Sequence, residues 1–493
     1  MTSDIHSPQY AKALELAEAG RHNEALEHLE AYLSTAPDDP EALNDAGAIL
    51  HCLGRSDQAL ARLNRARTLR PDSGEILWNL CEAYLAAGWA GEVLPLLDDV
   101  ERLGMLNSDL LNRTATGLLN QLDKANAMDM LLWSSQLSPG QKVLAPMLEI
   151  IRSKRPKVAI FCGADGMTFM NDLAEYIKQR FETRIFEGRT DTDLYDLMSW
   201  ADISWFEWCT NLAAAASNMP KVCKTIVRLH RYEAYEQWPQ QVNWNNVDVL
   251  ITLGNEITRQ SLLSKVPDIE TRTSVVAVPN GIDLEKFKFR DRPRGKNIAF
   301  LANLRLVKNP AFVMQCMQKL HYIDPQYRLF FAGSFQDKVL EQYLRHIVKA
   351  LDIEDVVSFD GWQNDVNAWL ADKHFIVSTS ICEGHPVGIL EAMAAGLKPV
   401  IHNFLGADLV FPREYLFNIS EQFCEQITSG SYNPVEYRRF VEQNYSLKRQ
   451  LRKIGEIFRR LENQIDAQSL TPPLGIRSIG RFSPQVLQNI GVV

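Results

Sequence analysis

The sequence predicts an all-α repeat array followed by two α/β regions, each a parallel sheet with helices on both faces. Three observations predict this fold class. The first third repeats itself every 34 residues, short apolar runs alternate with helical patterns from residue 155 onward, and a polar linker separates two series of such runs. A chain of 493 residues has room for about three domains.

The composition narrows the class of protein. Hydrophobic residues make up 46% and charged residues 23%, as in ordinary globular proteins. The formal net charge of −9 argues against nucleic-acid binding, which needs a basic face. No apolar run approaches the ~18 residues of a membrane span, and the sequence begins without signal-peptide character. The eight cysteines form no CxxC pair, so we expect buried free thiols and a cytoplasmic location.

The repeat is clearest in a seven-residue motif. Gly20–Leu26 recurs as Gly54–Leu60 and, more loosely, as Gly88–Leu94, and each copy begins 34 residues after the last. This is the period of tetratricopeptide repeats. The glycine is expected in the turn between two antiparallel helices, while the small Ala25 and Ala59 let those helices approach closely.

The repeat array is expected to span residues 7–150. Pro37 and Pro71 end one unit before the next begins. Residues 107–150 have amphipathic helical patterns without the motif, so they are degenerate repeats or a cap. Solenoids of this kind usually present a concave face to a polypeptide, which predicts a protein partner. Self-association, or coverage of the neighbouring domain, is the alternative role.

The rest of the chain alternates strand-like and helical segments, which predicts βαβ units and parallel sheets. The runs of the first series are Val158–Cys162, Thr183–Phe186, Ile203–Phe206, Thr225–Leu229, Val247–Leu253 and Ser274–Val278. Those of the second series are Ile298–Leu301, Arg328–Ala332, Val356–Phe359, Phe375–Ser378 and Pro399–Ile401. The polar linker Phe289–Lys296 separates them. Two such halves form a cleft at the carboxyl ends of their strands, where a nucleotide-sized ligand binds.

The segment after the fourth strand of the second series contains the residues that indicate a functional site most specifically. Two glutamates eight positions apart, Glu383 and Glu391, lie on either side of a strand-to-helix junction. Pro386 presets the helix start, and Gly384 and Gly388 remove side chains where a ligand could approach backbone amides. Anionic groups bind at such helix N-termini through free N–H groups and the macrodipole.

This pattern resembles the E-x7-E signature of the retaining GT-B glycosyltransferases, particularly glycosyltransferase family 4. The resemblance implies an α/β GT-B fold, in which two Rossmann-like domains face a cleft, and a nucleotide-sugar donor. It implies that Glu383 lies beside the donor sugar and that Glu391 hydrogen-bonds the ribose hydroxyls. The further donor-binding residues expected in the loop between them are Gly384, His385, Pro386 and Val387.

Two other segments are similar to motifs of the same family. Val278–Asp283, followed by Phe287, resembles a "PNGvD…F" segment whose Asn-Gly pair forms a positive-φ turn. The loop after the first strand of the second series resembles one in which an arginine and a lysine contact the donor diphosphate. Lys308 matches that lysine, but the usual arginine position is Asn303 here, and Arg305 is the candidate replacement.

Three further candidates follow from the resemblance. Gly163 lies in a strand-to-helix loop that relatives place near the acceptor. His230 ends a strand at the predicted cleft, where family members often have a histidine that hydrogen-bonds the donor sugar; a structural histidine is the alternative. Gly333 follows the second strand of the second series and is expected near the base or the sugar.

With the resemblance included, each segment has an expected role. These segments are the repeat array (7–150), an N-terminal acceptor domain (155–290), a C-terminal donor domain (296–435), a helix packing back across the cleft (436–467) and a tail (468–493).

The expected activity is retaining hexosyl transfer from a nucleotide sugar, UDP-linked, to a protein recruited by the repeats, as in bacterial protein O-glycosylation. The motifs include no metal-binding cluster, so no metal or other cofactor is expected.

A basic amphipathic run favours an alternative, a lipid-linked or polysaccharide acceptor with peripheral contact at the inner membrane. That run is Lys448, Arg449, Arg452, Lys453, Arg459 and Arg460. The third hypothesis is a non-catalytic scaffold. The presence of all three motif residues argues against it: Glu383, Lys308 and Glu391.

Overall fold

The computed structural model describes residues 8–142, 144–163, 166–167 and 169–469. The chain divides into two compact units, and the division falls between Arg155 and Pro156. From residue 470 onward the expected tail lies outside the described residues.

The first unit is a succession of helix pairs, which confirms the repeat prediction. Its helices are α1 (Pro8–Glu18), α2 (His22–Leu33), α3 (Pro40–Cys52), α4 (Ser56–Leu69), α5 (Gly74–Ala86), α6 (Leu97–Arg102), α7 (Ser108–Asn120), α8 (Lys124–Leu137) and α9 (Leu144–Ser153). The third pair departs from the pattern, because a 3₁₀ helix containing Pro95 occupies Ala90–Leu96 and leads into α6. Ala25 and Ala59 are fully buried, as close approach of paired helices requires.

The turn inside each helix pair has a left-handed backbone. Gly20, Gly54 and Gly88 have φ of 73°, 72° and 76°, which glycine adopts without the steric penalty of a Cβ. The next turn in phase falls at residue 122, where φ is 61° but the residue is a leucine. The pair α7–α8 is therefore a fourth repeat, and the motif missed it because Leu122 replaces the glycine.

The first half of the second unit is a six-stranded parallel sheet in the order β2-β1-β3-β4-β5-β6. Its strands are β1 (Lys157–Phe161), β2 (Glu182–Ile185), β3 (Ile203–Phe206), β4 (Lys224–Leu229), β5 (Val249–Thr252) and β6 (Ser274–Ala277). Its helices are α10 (Asn171–Arg180), α11 (Asp191–Trp200), α12 (Asn211–Ser217), α13 (Arg231–Tyr235), α14 (Trp238–Gln241), α15 (Glu256–Lys265) and α16 (Ile269–Arg272). Alternate residues of β1 enter two different cores, as expected for a sheet that is covered on both faces.

The second half is also a six-stranded parallel sheet, in the order β12-β11-β10-β7-β8-β9. Its strands are β7 (Asn297–Leu301), β8 (Arg328–Ala332), β9 (Val357–Gly361), β10 (Phe375–Ser378), β11 (Lys398–His402) and β12 (Leu416–Phe417). Its helices are α17 (Pro310–Ile323), α18 (Lys338–Ala350), α19 (Val366–Trp369), α20 (Val387–Ala394), α21 (Ser420–Thr428) and α22 (Pro434–Tyr445). The sequence predicts all of these strands except β12, whose two residues are too few to form a periodic pattern.

The last helix, α23 (Leu447–Ser469), returns to the first sheet. Its apolar side chains Ile454, Ile457, Phe458 and Leu461 are buried in the core that contains Val158 and its neighbours in that sheet. A helix that binds a membrane surface needs an apolar face to insert, and the protein covers this one. The structure therefore does not support the hypothesis that the basic run anchors the protein to a membrane. Within the described ranges, no helix has the length and apolar character to cross a bilayer.

All eight cysteines are free thiols. The expectation that they are buried is wrong for three of them, because Cys52 is exposed at the end of α3 and Cys162 and Cys382 are partly exposed in loops after strands.

Candidate active site

Two adjoining cavities lie where the strands of both sheets end. The larger has a volume of about 420 Å³ and the smaller about 220 Å³. Their walls share Phe169, Leu301, Ala302, Asn303 and Val387. One elongated ligand could therefore extend through both.

The smaller cavity contains an ion pair between Glu383 of the E-x7-E signature and Lys308 of the loop after β7. Lys308 Nζ lies 2.6 Å from Glu383 Oε1, and the hydroxyl of Ser380 donates to the same oxygen at 2.5 Å. The side chains of Lys308 and Glu383 are only 21% and 9% exposed. The structure thus brings together two residues that are 75 positions apart in the sequence.

Local backbone geometry fixes the position of Lys308. The lysine ends a 3₁₀ turn, and the next residue, Asn309, has a left-handed φ of 47°. The hydroxyl of Thr379 donates to the carbonyl oxygens of Lys308 and Asn309 at 3.1 and 2.8 Å. The loop after β10 therefore holds the loop after β7 in place.

The glycines of the signature allow close approach of protein rather than ligand. A Cβ on Gly384 would lie 2.6 Å from Cβ of Arg231, and a Cβ on Gly388 would lie 3.0 Å from the carbonyl oxygen of Leu301. The space expected for a ligand at these two positions is therefore filled by Arg231 and Leu301. From the first half, the amide of Asn255 also donates to the carbonyl oxygens of Glu383 and Gly384, both at 3.2 Å.

His385, Pro386 and Val387 line the smaller cavity at the start of α20. Neither ring nitrogen of His385 has a hydrogen-bond partner among the described residues, and both are buried. Burial, followed by the charge of Arg228, lowers the pKa of His385 to about 3. The imidazole is therefore neutral near pH 7.

Glu391 lies one helical turn further along α20 and lines the larger cavity. Burial raises the pKa of this carboxyl to about 7, and the ammonium of Lys286 opposes the shift in part. The carboxyl is therefore divided between its protonated and ionised forms near neutral pH.

The remaining second-half candidates have different surroundings. Arg305 is exposed and lines the smaller cavity beside Lys308. Asn303, at the usual arginine position, accepts a hydrogen bond from the backbone N–H of Ser334 at 3.2 Å. Gly333 lines the larger cavity with φ of 135°, and a Cβ there would lie 2.0 Å from the carbonyl oxygen of Ala302. Glycine is thus required at position 333 by the packing of two loops.

The first-half candidates lie outside the cavity walls. Gly163 and His230 are absent from the described linings of both cavities, and Ala164, Asp165 and Thr168 of the Gly163 loop lie outside the described residues. His230 is only 5% exposed. Its ring stacks on Trp208 at 4.1 Å between centroids and lies 5.4 Å from the ring of Phe169, which lines both cavities. His230 is therefore next to the cleft but behind its wall.

Sequence reasoning missed a buried charged pair beside His230. Glu207 and Arg228 are both 0% exposed, with Arg228 Nη1 2.9 Å from Glu207 Oε1. His230 Nε2 lies 3.0 Å from the same oxygen, and the indole N–H of Trp205 donates to Glu207 Oε2 at 2.9 Å. Burial alone would raise the pKa of Glu207, but the charge of Arg228 and the hydrogen bonds from His230 and Trp205 outweigh it and lower the pKa. The sequence signal that could have revealed this pair is a charged residue inside a buried strand, as for Arg228, or directly after one, as for Glu207.

No group of three or more His, Cys, Asp or Glu side chains in the described part of the chain could hold a metal ion. That the reaction needs no metal remains a prediction.

Two Rossmann-like sheets that face one cleft define the GT-B class of fold. Residues 282–442 match the family model described as "Glycosyl transferases group 1", and residues 16–68 match a tetratricopeptide repeat model. The chain thus contains a glycosyltransferase group 1 domain of GT-B type and a tetratricopeptide region.

Two curated relatives show what the chain is similar to. It is 33% identical over 157 residues to an uncharacterized glycosyltransferase of Haemophilus influenzae, a stretch that covers 31% of this chain and 43% of that protein. It is 29% identical over 127 residues to the GDP-mannose:cellobiosyl-diphosphopolyprenol alpha-mannosyltransferase of Xanthomonas campestris, covering 25% and 33%. The chain therefore spans less than half the length of these relatives.

Solved structures show the same fold. The chain is similar to Anabaena Alr3699/HepE, solved in complex with UDP-glucose, with a TM-score of 0.52 and 14% identity over 62% of this chain and 99% of that chain. A glycosyltransferase of Rickettsia africae has a TM-score of 0.50 and 13% identity over the same shares of the two chains. At these identities the likeness establishes the GT-B fold and leaves the substrate open.

Proposed function

We propose that this protein transfers a sugar from a nucleotide-sugar donor to an acceptor with retention of anomeric configuration. The observation on which the proposal depends is the 2.6 Å contact of Lys308 with Glu383 in a cavity that adjoins the one containing Glu391. One ligand can place its diphosphate at Lys308 and its ribose at Glu391. We propose that its sugar lies against Glu383.

The chemistry of such a donor suits this arrangement. Cleavage of a sugar–phosphate bond leaves positive charge on the anomeric carbon and additional negative charge on the departing diphosphate. Lys308, the exposed Arg305 and the N-terminus of α20 supply positive charge where the diphosphate would lie. We propose that Glu383 orients the sugar and that the leaving phosphate oxygen takes the acceptor proton. No separate protein base is then needed.

A panel of donors tests this proposal. We propose a UDP-linked hexose, and GDP-mannose enters as the comparison because the Xanthomonas relative is named for it. A donor that binds the native state and not the unfolded chain raises the melting temperature, and the rise grows with the logarithm of the donor concentration relative to its Kd. We expect one of UDP-glucose, UDP-galactose, UDP-N-acetylglucosamine and GDP-mannose to stabilise the protein and to be turned over in excess EDTA. If a donor stabilises the protein but none is turned over, the hypothesis of a non-catalytic scaffold is favoured. Turnover that requires added Mn²⁺ or Mg²⁺ would contradict metal independence.

For the acceptor, we propose a polypeptide held by the repeat array in the cytoplasm. The array has its own hydrophobic core within residues 8–155, as a separate recruiting module would. A chain starting at Pro156 should then hydrolyse the donor slowly but fail to glycosylate the protein acceptor, and mass spectrometry of the acceptor measures this. A lipid-linked acceptor is the second candidate, favoured by the name of the Xanthomonas relative. Full transfer by the truncated chain would move that candidate ahead.

A further inference from the structure

We infer that the buried pair Glu207–Arg228 is a positioning device that holds the first-half wall of the cleft in place for sugar transfer. The inference rests on the proposed function and adds two residues that act through others. Neither residue is among the described residues that line the two adjoining cavities, so each is a positioning residue rather than a catalytic one.

The hydrogen bonds of the pair lead directly to the cavity wall. Beyond its contact with Glu207, Arg228 Nη1 donates to the carbonyl oxygen of Phe169 at 3.3 Å, and Arg228 Nη2 donates to Oδ1 of Asn280. Phe169 lines both cavities, and Asn280 lines the larger one. Glu207 is in turn hydrogen-bonded to Nε2 of His230, and the ring of His230 packs beside that of Phe169. Wall residues on two sides are therefore fixed by one guanidinium and one carboxylate.

The pair also joins strand ends that are distant in sequence. Phe169 lies in the connection after β1, Glu207 directly follows β3, Arg228 lies near the end of β4, and Asn280 follows β6. The carboxyl ends of four parallel strands are thus connected through one ion pair. Since ligands bind at this edge of such sheets, the connection lies where small displacements matter most.

Stability alone is a weak reason for such a pair. Two fully buried charges pay a desolvation penalty, and well-packed apolar residues of similar volume often replace them without loss of stability. Correct placement of reacting groups, by contrast, contributes greatly to rate, and a misplacement of ~1 Å can cost ~10²-fold. The position and connections of the pair therefore favour a role in geometry.

The test compares Glu207→Gln with Asp248→Asn in the full chain. Asp248 precedes β5, pairs with Lys224 at 3.2 Å and accepts from the backbone N–H of Thr225. The control substitution therefore removes a similarly paired carboxylate, but at the amino ends of the strands of the same sheet. The best donor of the panel above is the substrate, and its free nucleotide is the calorimetric ligand. We expect Glu207→Gln to lower kcat about 10- to 100-fold while the Kd of the nucleotide, bound by the second half, changes less than about threefold. Asp248→Asn should change neither.

A double variant separates positioning from a general structural defect. If Glu207 acts partly through His230, then Glu207→Gln should lower kcat much less in a His230→Ala background than in the wild type. Should Glu207→Gln fail to fold, Trp205→Phe decides with the same split between kcat and Kd, because it removes the indole N–H that donates to Glu207 and Trp205 belongs to neither of the described cavity walls.

Each outcome of these measurements has a defined meaning. A selective loss of kcat with non-additive behaviour supports the inference. Equal effects of the Glu207 and Asp248 variants, or full additivity with His230→Ala, overturn it while leaving the proposed function intact. Parallel losses of kcat and nucleotide affinity also overturn it. A wild type that turns over no donor removes the proposed function and this inference together.

Discussion

In the described part of the chain, the repeat array and the second unit differ in how deeply their ion pairs are buried. In the array, the ion pairs Arg65–Asp38 and Arg70–Glu41 join residues 27 and 29 positions apart, in or beside the helix pair α3–α4, and all four side chains are about half exposed or more. In the second unit, Glu207–Arg228 is fully buried and Lys308–Glu383 is partly buried, although exposed pairs such as Lys319–Glu421 also occur there. Exposed pairs are worth ~0–1 kcal/mol, whereas buried charges must be paired. The array thus depends on apolar packing and periodic backbone, whereas the second unit also has buried charges at or beside the walls of its two adjoining cavities.

The largest effect should come from the charge nearest the proposed diphosphate. Lys308→Ala should lower kcat by about 10²–10³, because one preorganised donor to a developing negative charge typically contributes this much. Steady-state nucleotide release measures it. The control is Lys319→Ala, which removes a lysine from an exposed pair with Glu421. Equal, small effects of both variants would show that Lys308 does not stabilise the departing diphosphate.

A smaller effect is expected at the proposed ribose site. Glu391→Ala should weaken nucleotide binding by about 1.5–3 kcal/mol, because ribose hydroxyls lose a charged acceptor. Titration calorimetry measures the affinity. Glu341→Ala, a glutamate that pairs with Arg345 on α18, is the control on the surface of the same half. Unchanged affinity in the Glu391 variant would remove this residue from the site.

The ionisation of Glu391 should make donor binding depend on pH. Its pKa of about 7 lies above the ordinary value of a glutamate, so its ionised form gains population as pH rises from 6 to 8. Affinity for a nucleotide sugar should therefore rise up to about tenfold over this range, since the ionised form is the better acceptor. The contribution of this group to the free energy of unfolding has the opposite trend and falls as pH rises toward 7. Glu391→Gln should flatten the binding profile, and a profile that keeps its slope would assign the titration to another group.

The smallest effect belongs to the array. Leu122 is 75% exposed and has φ of 61°, a backbone conformation that costs a non-glycine residue ~1–2 kcal/mol. Leu122→Gly should therefore raise the free energy of unfolding of the array by up to about 1 kcal/mol, since the greater flexibility of glycine in the unfolded chain offsets part of the gain. Urea unfolding measures it, with Gly54→Leu expected to have the opposite effect. Destabilisation by Leu122→Gly would show that this turn is not a repeat turn under strain.

The sequence predicted the array and both sheets because their signals are local. A glycine every 34 residues and β-branched runs between helical patterns depend on neighbours in the chain. The sequence left residues 107–150 between degenerate repeats and a cap, because Leu122 occupies the turn position where the motif has glycine. It did not predict β12, because two residues are too few to form a periodic pattern.

The site was only partly predictable for a related reason. Lys308, Glu383 and Glu391 belong to contiguous motifs, and the structure places all three at the two adjoining cavities. The Glu207–Arg228 pair depends on four strand ends meeting in space, which no spacing in the sequence encodes. Likewise, the space beside Gly384 is taken by Arg231 from the other half, a contact that only the folded chain reveals.

The most direct test of a donor site at Lys308 and Glu383 is a paired calorimetric titration of Glu383→Gln and the wild type. Each protein is titrated with the donor that is turned over and with its free nucleoside diphosphate. If the sugar lies against Glu383, the variant should bind the nucleotide sugar about tenfold or more weakly, since hydrogen bonds to a charged group contribute about 1.5–3 kcal/mol. It should bind the free nucleotide no more weakly than the wild type does, because loss of the ion pair leaves Lys308 available to the diphosphate. Equal affinities of the variant and the wild type for the nucleotide sugar, or a wild type that binds neither ligand, would contradict the assignment.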